Sequence, residues 1–373
     1  MTEYENMKTK DIMNTFFNER KTSKGTQNQY NRYIKQYEQH TGHTLNELLD
    51  IAEYEETNNV RWKNTKTREF LLSYREYLYN QYCVTTAKTR ISNILTVYRH
   101  FEYEIPSLPY LSEKQSKRYA PIMYDDLPDR QILTEALKLA NPKLRSLILF
   151  MSSSGISRVD THNLTIKDYL DAVYEYTGTY DLVTALKIMK GKDIVPTFHL
   201  RRQKTGQDYI TFCSHEAVRD INVYLESRTD DVTLDSPLFK IHLRYLSKMF
   251  EDINEQLNLG SVGAYNRFRP HMMRKYHASQ LAEAGMSTEK INLLQGRKVK
   301  GVAHESYIRI KTDTLKQEYI QALPYLVVED VNKVKTELQN TKEELKTVTS
   351  ENKVMKNNLV DILKRIEQLE NKE

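Results

Sequence analysis

Six residues of this 373-residue chain have types and an order suited to chemistry on a phosphate. His271 and Arg274 stand one helical turn apart in RPHMMRKYH and so share a face. Arg297 closes the run LLQGR, 26 residues after His271, and Tyr307 follows ten residues later. Upstream, Arg158 comes just after an apolar run ending in SSSGIS, and Lys204 sits in RRQKTGQDY. Guanidinium forks grip non-bridging phosphate oxygens, Lys and His move protons, and a phenol oxygen can attack phosphorus. None of these residues carries the inference singly. A lone His or Arg is more often structural, a lone Tyr more often packing, and a Lys on a hairpin tip is usually just exposed. Arg158 and Asp160 by themselves read as a local salt bridge.

Those residues need elements to present them. Pro270 marks a helix start for the His271/Arg274 helix, and EKINLLQG is a short helix stopped by Gly296, with Arg297 just beyond. Within 195–213, the β-rich runs PTFHLRR and DYITFC flank a turn at QKTGQ, which puts Lys204 at a hairpin tip. LPDRQILTEALKLA and NPKLRSLILFMSSSG read as helices, the second strongly apolar and able to deliver Arg158, with Asp160 placed to orient or neutralise it. Residues 215–228 and 243–258 return to helix.

Residues 8–103 read as helical throughout. Tyr30, Tyr33, Ile34 and Tyr37 recur at the spacing of one helical face. A second helix covers 45–57, with Thr44 as N-cap and Glu47 at the capping-box position. Further helices fit 66–83 and 86–102. The last carries Lys88, Arg90 and Arg99 on mostly solvent-facing positions, which serve equally as solvated surface or as phosphate contacts. The segment 105–121, IPSLPYLSEKQSKRYAP, breaks the periodicity and reads as a linker whose Lys114, Lys117 and Arg118 lie along a charged partner. The expected division is a helical DNA-binding domain at 1–104, a linker at 105–124, a catalytic domain at 125–328 and a tail at 329–373. Helix begins near Asp11, which leaves no further N-terminal domain expected.

The tail has a strict heptad. Val331, Val334, Leu338, Thr341, Leu345, Val348, Asn352, Met355, Leu359, Ile362, Ile366 and Leu369 alternate as a and d positions. Asn352 at an a position favours a dimer in one register. The pairs Glu337 with Lys342, Glu351 with Lys356 and Arg365 with Glu370 are of opposite sign, as a parallel homodimer prefers. A single amphipathic helix or an antiparallel pair fits the same pattern less well.

Bulk properties narrow the rest. The net charge is +5 and the pI about 8.8, a mild basic excess that permits nucleic-acid binding. The two cysteines, Cys83 and Cys213, are far apart, which argues against a disulfide framework or a Cys-based zinc site and fits a reducing compartment. No signal-peptide core and no apolar run of about 18 residues is present. There is no Walker A pattern and no clustered carboxylate set for two metals.

In order and spacing, Arg158, Lys204, His271, Arg274, Arg297 and Tyr307 resemble the catalytic set of the tyrosine recombinases, the phage-integrase family. That family arranges Arg, a hairpin Lys, His-x-x-Arg, His or Trp, then Tyr. The match spans 126–310, and the helical 8–103 region looks like the family's core-binding domain. The fold implied is mainly α with a small β-sheet: a helical core-binding domain, an α+β catalytic domain and here a C-terminal coiled coil. Three departures stand out. The family's G-L-R-x-x-E motif is here Gly155-Ile156-Ser157-Arg158-Val159-Asp160, which moves the Arg by one and gives Asp160 the acidic, supporting place. Arg297 stands where His or Trp is usual, a wording similar to integrases of archaeal viruses and plasmids. Tyr307 lies one residue later than is commonest, with Tyr276, Tyr319 and Tyr325 as its nearest competitors.

The resemblance implies a site-specific recombinase that cuts and rejoins DNA strands through a 3′-phosphotyrosyl link, needing no metal and no nucleotide cofactor. In that reading Arg158 and Arg274 clamp the phosphate, Lys204 protonates the leaving 5′-oxygen, His271 assists, Arg297 adds a contact and Tyr307 attacks. The implied partners are double-stranded DNA sites and further copies of the chain: dimers through the coiled coil, a tetramer in the synapse, and an accessory factor for excision. The implied setting is the cytoplasm, at the nucleoid, with no membrane. Integration or excision of a mobile element or viral genome is the leading role. Xer-like resolution of chromosome or plasmid dimers, a type IB topoisomerase, and a non-catalytic dimeric DNA-binding regulator are the alternatives.

Overall fold

The computed structural model describes residues 8–113, 117–297 and 311–329, together with Val348, Met355 and Lys356. The chain forms two compact units, Met1–Pro121 and Ile122–Glu373. The described part of the first is helical: α1 (Thr9–Glu19), α2 (Lys24–Thr41), α3 (Leu45–Thr57), α4 (Lys66–Gln81) and α5 (Val84–His100). Its core is built largely of aromatic rings. Phe16, Tyr37, Tyr74 and Tyr98 are fully buried with Leu49, Leu71 and Ile94. The Tyr37 and Tyr98 hydroxyls satisfy each other at 3.3 Å, which a buried phenol requires. The periodic face Tyr30, Tyr33, Ile34 and Tyr37 is the buried face of α2. The Glu47 carboxylate accepts the Thr44 N–H at 2.7 Å and starts α3 as the capping box predicts.

The described residues of 105–121 form no helix or strand, and several of them lie against this unit. Ile105 is buried in its core, the Arg75 guanidinium donates to the Pro109 carbonyl at 2.6 Å, and the Val84 N–H donates to the Lys117 carbonyl at 3.1 Å.

The second unit is organised around α7 (Pro142–Ser154), whose residues from Ser146 to Ser154 are all buried. Asn141 caps it by accepting the Leu144 N–H, and Pro142 fits the first turn, where no N–H is needed. The helix before it is α6 (Arg130–Leu139); after it come α8 (Arg158–Asn163), α9 (Ile166–Thr177) and α10 (Leu182–Met189). The strands β1 (Thr197–Arg201) and β2 (Asp208–Phe212) form an antiparallel pair in which Leu200 faces Tyr209 and Arg201 faces Asp208. Then follow α11 (His215–Glu226), α12 (Leu243–Gln256), the short strands β3 (Ser261–Val262) and β4 (Tyr265–Asn266), α13 (Pro270–Glu283), α14 (Thr288–Leu294) and α15 (Thr312–Leu326). Helices α11 and α13 pack on α7, and α15 packs on α13 and β2. The mainly helical expectation with one small hairpin holds, and β3–β4 adds a second two-stranded pair. No described helix is long and apolar enough to cross a membrane. The heptad tail lies outside the described residues except Val348, Met355 and Lys356, which are helical and exposed.

Candidate active site

The site grows from the point where α7 stops. Gly155 ends that helix with φ +65°, and its Cα is pressed against the imidazole of His277 so closely that a side chain there would collide with the ring. Ser157 then caps α8: its hydroxyl accepts the Asp160 N–H at 3.3 Å and donates to Asp160 Oδ2 at 2.6 Å. A cap must be small and polar, which explains why Ser rather than Arg stands at 157 and why the Arg follows at 158. Arg158 is exposed on the first turn of α8 and donates to the Ser247 hydroxyl on α12.

Asp160 does not serve Arg158, contrary to the sequence-based expectation. Residues two apart on a helix do not face each other. The buried carboxylate instead accepts the Ser157 hydroxyl and, through Oδ1, the Gln203 N–H at 3.0 Å. It therefore pins the start of the β1–β2 turn. That turn closes by Arg202 N–H to the Gln207 carbonyl and Gly206 N–H to the Arg202 carbonyl, both 2.8 Å. Lys204 stands exposed on it, as a hairpin tip predicts.

His271 and Arg274 share a face of α13, as their spacing requires. Arg274 is buried; it donates to the Gly155 carbonyl at 2.7 Å and to the Gln295 carbonyl. Burial and then the neighbouring Arg202 and Arg297 push its pKa down to about 10, still fully charged at neutral pH. Gln295 is buried and returns the contact: its Nε2 donates to the Arg274 carbonyl at 2.9 Å and approaches His277 Nδ1 at 3.0 Å. His277 is fully buried, and loss of hydration followed by Arg274 and Arg297 lowers its pKa to about 3, so the ring is neutral. His271 titrates below the ordinary range, first because part of its hydration is lost and then because Arg269, Lys275, Arg274 and Arg297 surround it. Arg297 is half-buried just past α14, its N–H bonded to the Asn292 carbonyl. Burial and Arg202 lower its pKa.

A groove of about 580 Å³ is lined by Arg158, His271 and Arg274, together with Ser247, Tyr265 and Arg269. It thus gathers three of the six nominated residues, and Arg297 lies close enough to act electrostatically on two of them. Lys204 is not in its lining, and Tyr307 lies outside the described residues. Of the competing tyrosines, Tyr276 is buried and bonded to the Tyr325 carbonyl, and Tyr319 is buried and bonded to the Ser153 carbonyl at 2.8 Å. Tyr325 lines a larger cleft of about 900 Å³ that holds none of the nominated residues. Sequence reasoning missed Arg202, Arg269 and Gln295. Arg269 stacks on Tyr265 at 4.2 Å, and Arg202 donates to the Gly296 carbonyl at 2.7 Å.

The basic residues nominated in the first unit differ among themselves. Arg99 and Lys117 are exposed, while Lys88 and Arg118 share the Glu113 carboxylate at 2.7 and 3.0 Å. Arg90 departs from the expected solvent-facing position. It is half-buried, its guanidinium stacked 3.8 Å from the Tyr82 ring centre and hydrogen-bonded to Gln36, because α5 turns it toward α2 and α4. Lys114 lies outside the described residues.

Solved structures with a similar fold exist. A lambda integrase tetramer bound to a Holliday junction superposes with a TM-score of 0.52 at 14% identity, covering 82% of this chain and 78% of the other. This chain has the tyrosine-recombinase fold. A lambda integrase dimer bound to a COC′ core site matches with a TM-score of 0.50 at 13% identity, over 82% of this chain and 98% of that one. The Tn1549 transposon integrase in complex with a circular intermediate DNA gives 0.50 at 15% identity, over 84% and 99%. No protein-family model matches the sequence, and no curated protein matches it.

Proposed function

We propose that the chain is a site-specific tyrosine recombinase that cleaves and rejoins DNA strands, integrating or excising a mobile element or viral genome. What supports the reading most is the groove shared by Arg158, His271 and Arg274 with Arg297 beside it, on a tyrosine-recombinase fold. In this reading the scissile phosphate lies in the groove. Arg158 and Arg274 fork onto its non-bridging oxygens and neutralise the charge that builds up as phosphorus becomes five-coordinate. The Tyr307 oxygen attacks, the bond from phosphorus to the 5′-oxygen breaks, and Lys204 hands that oxygen a proton. His271, whose protonated form is disfavoured first by burial and then by its cationic neighbours, is suited to take the phenol proton. Arg297 adds a third charge. The 3′-phosphotyrosyl link keeps the bond energy, and a free 5′-hydroxyl of a second strand reverses the step to rejoin DNA. Integration rather than dimer resolution rests on the LLQGR wording and on the heptad tail, which in this reading pairs two copies in parallel. The partners are duplex DNA sites and further copies of the chain, four in the synapse.

The test is a nicked suicide duplex carrying candidate site DNA. The wild-type protein is expected to form a denaturant-resistant adduct with it and Tyr307→Phe none. An adduct that persists in Tyr307→Phe would mean that the nucleophile is another residue. For the tail, loss of residues 330–373 is expected to lower the solution mass; an unchanged mass would sink its pairing role.

A further inference from the structure

Two guanidiniums stand on one short turn. Where α14 ends, the carbonyls of Gln295 and Gly296 are consecutive along the chain. The first accepts from Arg274 and the second, at 2.7 Å, from Arg202. Adjacent carbonyls at a helix C-terminus carry the negative end of its dipole and hold cations without cancelling their charge. The Gly296 carbonyl is held in place: φ is +58°, and the Tyr209 ring packs where a side chain would stand, 2.8 Å from an added Cβ. Arg202 is fixed just as firmly. Its own N–H bonds to the Gln207 carbonyl, and the next N–H, of Gln203, bonds to buried Asp160. Its side chain is half-buried.

Among the described residues the charges that act on Arg274 and Arg297 beside it are mostly positive. Arg274 and Arg297 are both pushed below the ordinary range, first by burial and then by Arg202. Asp160 is a carboxylate that acts on Arg274, and it is engaged by the Ser157 hydroxyl and the Gln203 N–H. Among the described residues no ion pair reaches Arg202, and one hydrogen bond, to Gly296, occupies its fork. The neighbouring Arg201, by contrast, is exposed and stands 3.8 Å from Asp208.

We propose that Arg202 is a phosphate-binding residue of the same site, a guanidinium held beside Arg274 on consecutive carbonyls to grip a tetrahedral oxyanion. The inference rests on the recombinase reading for the identity of the phosphate, a DNA phosphodiester, and on its own geometry for the anion site. It makes the site richer in arginine than the sequence set suggests: Arg202 does not line the groove itself but stands beside Arg274 at the base of the hairpin that carries Lys204 at its tip.

Tungstate, a tetrahedral dianion, is the probe, titrated calorimetrically into the full chain. The wild-type protein is expected to bind it. Arg202→Met is expected to weaken binding about tenfold or more, as loss of a charge-assisted hydrogen-bonding group does. Arg201→Met is expected to leave binding unchanged. Should Arg202→Met fail to fold, Arg202→Lys keeps a charge but loses the fork, and a weakening of several fold is expected there. A second readout is the rate of adduct formation on a nicked duplex whose scissile phosphate is replaced by an uncharged methylphosphonate. A group that grips phosphate charge matters less there, so Arg202→Met should slow that substrate less than the ordinary one. Equal tungstate affinity in wild type and the Arg202 variant overturns the proposal and leaves the recombinase reading standing. Absence of tungstate binding by the wild type overturns the preformed anion site. Absence of any DNA adduct with the wild type, with tungstate binding retained, overturns the recombinase reading alone.

Discussion

Lys88 and Arg118 of the first unit share one carboxylate, Glu113, whereas Arg202 and Arg274 of the second lean on the carbonyls of Gly296 and Gln295. Arg90 of the first unit is covered by tyrosine rings; Arg297 of the second is half-buried, with the charge of Arg202 acting on it. A carboxylate partner cancels a charge, while a carbonyl positions a charge and leaves it available. The first arrangement suits a surface that meets DNA by exchanging one counterion for another, weakly and tunably. The second suits a site that must stabilise charge appearing on a single phosphate.

The largest effect expected from this contrast is at Arg274. In the proposed reaction Arg274→Gln removes a transition-state donor, and it leaves the Gly155 and Gln295 carbonyls without their partner. Adduct formation should fall by about 10²–10³-fold or more, and unfolding stability by about 2–4 kcal/mol, measured by single-turnover cleavage and by denaturant titration. A variant that keeps full stability would show that the carbonyl rack does not hold the arginine.

Next is the acid limb of stability. Unfolded His277 takes up a proton near pH 6.5, but the folded chain refuses it until about pH 3. Stability contributed by the neutral ring is therefore complete above pH 6.5 and is lost as the pH falls through that window, at about 1.4 kcal/mol per pH unit. His277→Gln should flatten that share of the slope in thermal melts taken from pH 7 to 4; an unchanged slope would contradict the assignment. Gly155→Ala follows, destabilised by about 1–3 kcal/mol because of its positive φ and the His277 ring, with cleavage reduced as Arg274 loses its carbonyl position. The smallest effect is in the first unit. Glu113→Gln should free Lys88 and Arg118, tighten duplex binding a few fold (about threefold) and steepen the salt dependence of log K by about one to two. Anisotropy titrations across a salt series read both. Unchanged binding would mean that neither cation meets DNA.

Much of this contrast was readable from residue order, and the unreadable part has a common cause. Local signals sufficed where the determinants are local: the Thr44–Glu47 cap, Pro270 at a helix start, the QKTG turn and the one-turn spacing of His271 and Arg274. Arg202, Gln295 and the true partner of Asp160 are set by contacts between residues far apart in sequence, such as Asp160 with Gln203 and Arg274 with Gln295. No periodicity or spacing encodes those. Arg202 carried one weak signal, a second arginine placed just before the turn. Arg90 misled because a helical wheel shows which way a side chain leaves its own helix but not that Tyr82 and Tyr33 wait to cover it. The separation of Ser157 from Arg158 became intelligible only once Ser157 was found capping α8.

The central claim is that this cation-rich groove serves a tyrosine nucleophile. Nuclease digestion of the trapped adduct, followed by peptide mass spectrometry, tests it most directly. One residue, Tyr307, is expected to carry the 3′-phosphonucleotide. A label on Tyr265, which lines the groove against Arg269 and is 61% exposed, would contradict it, as would a label on Ser247 or no label at all.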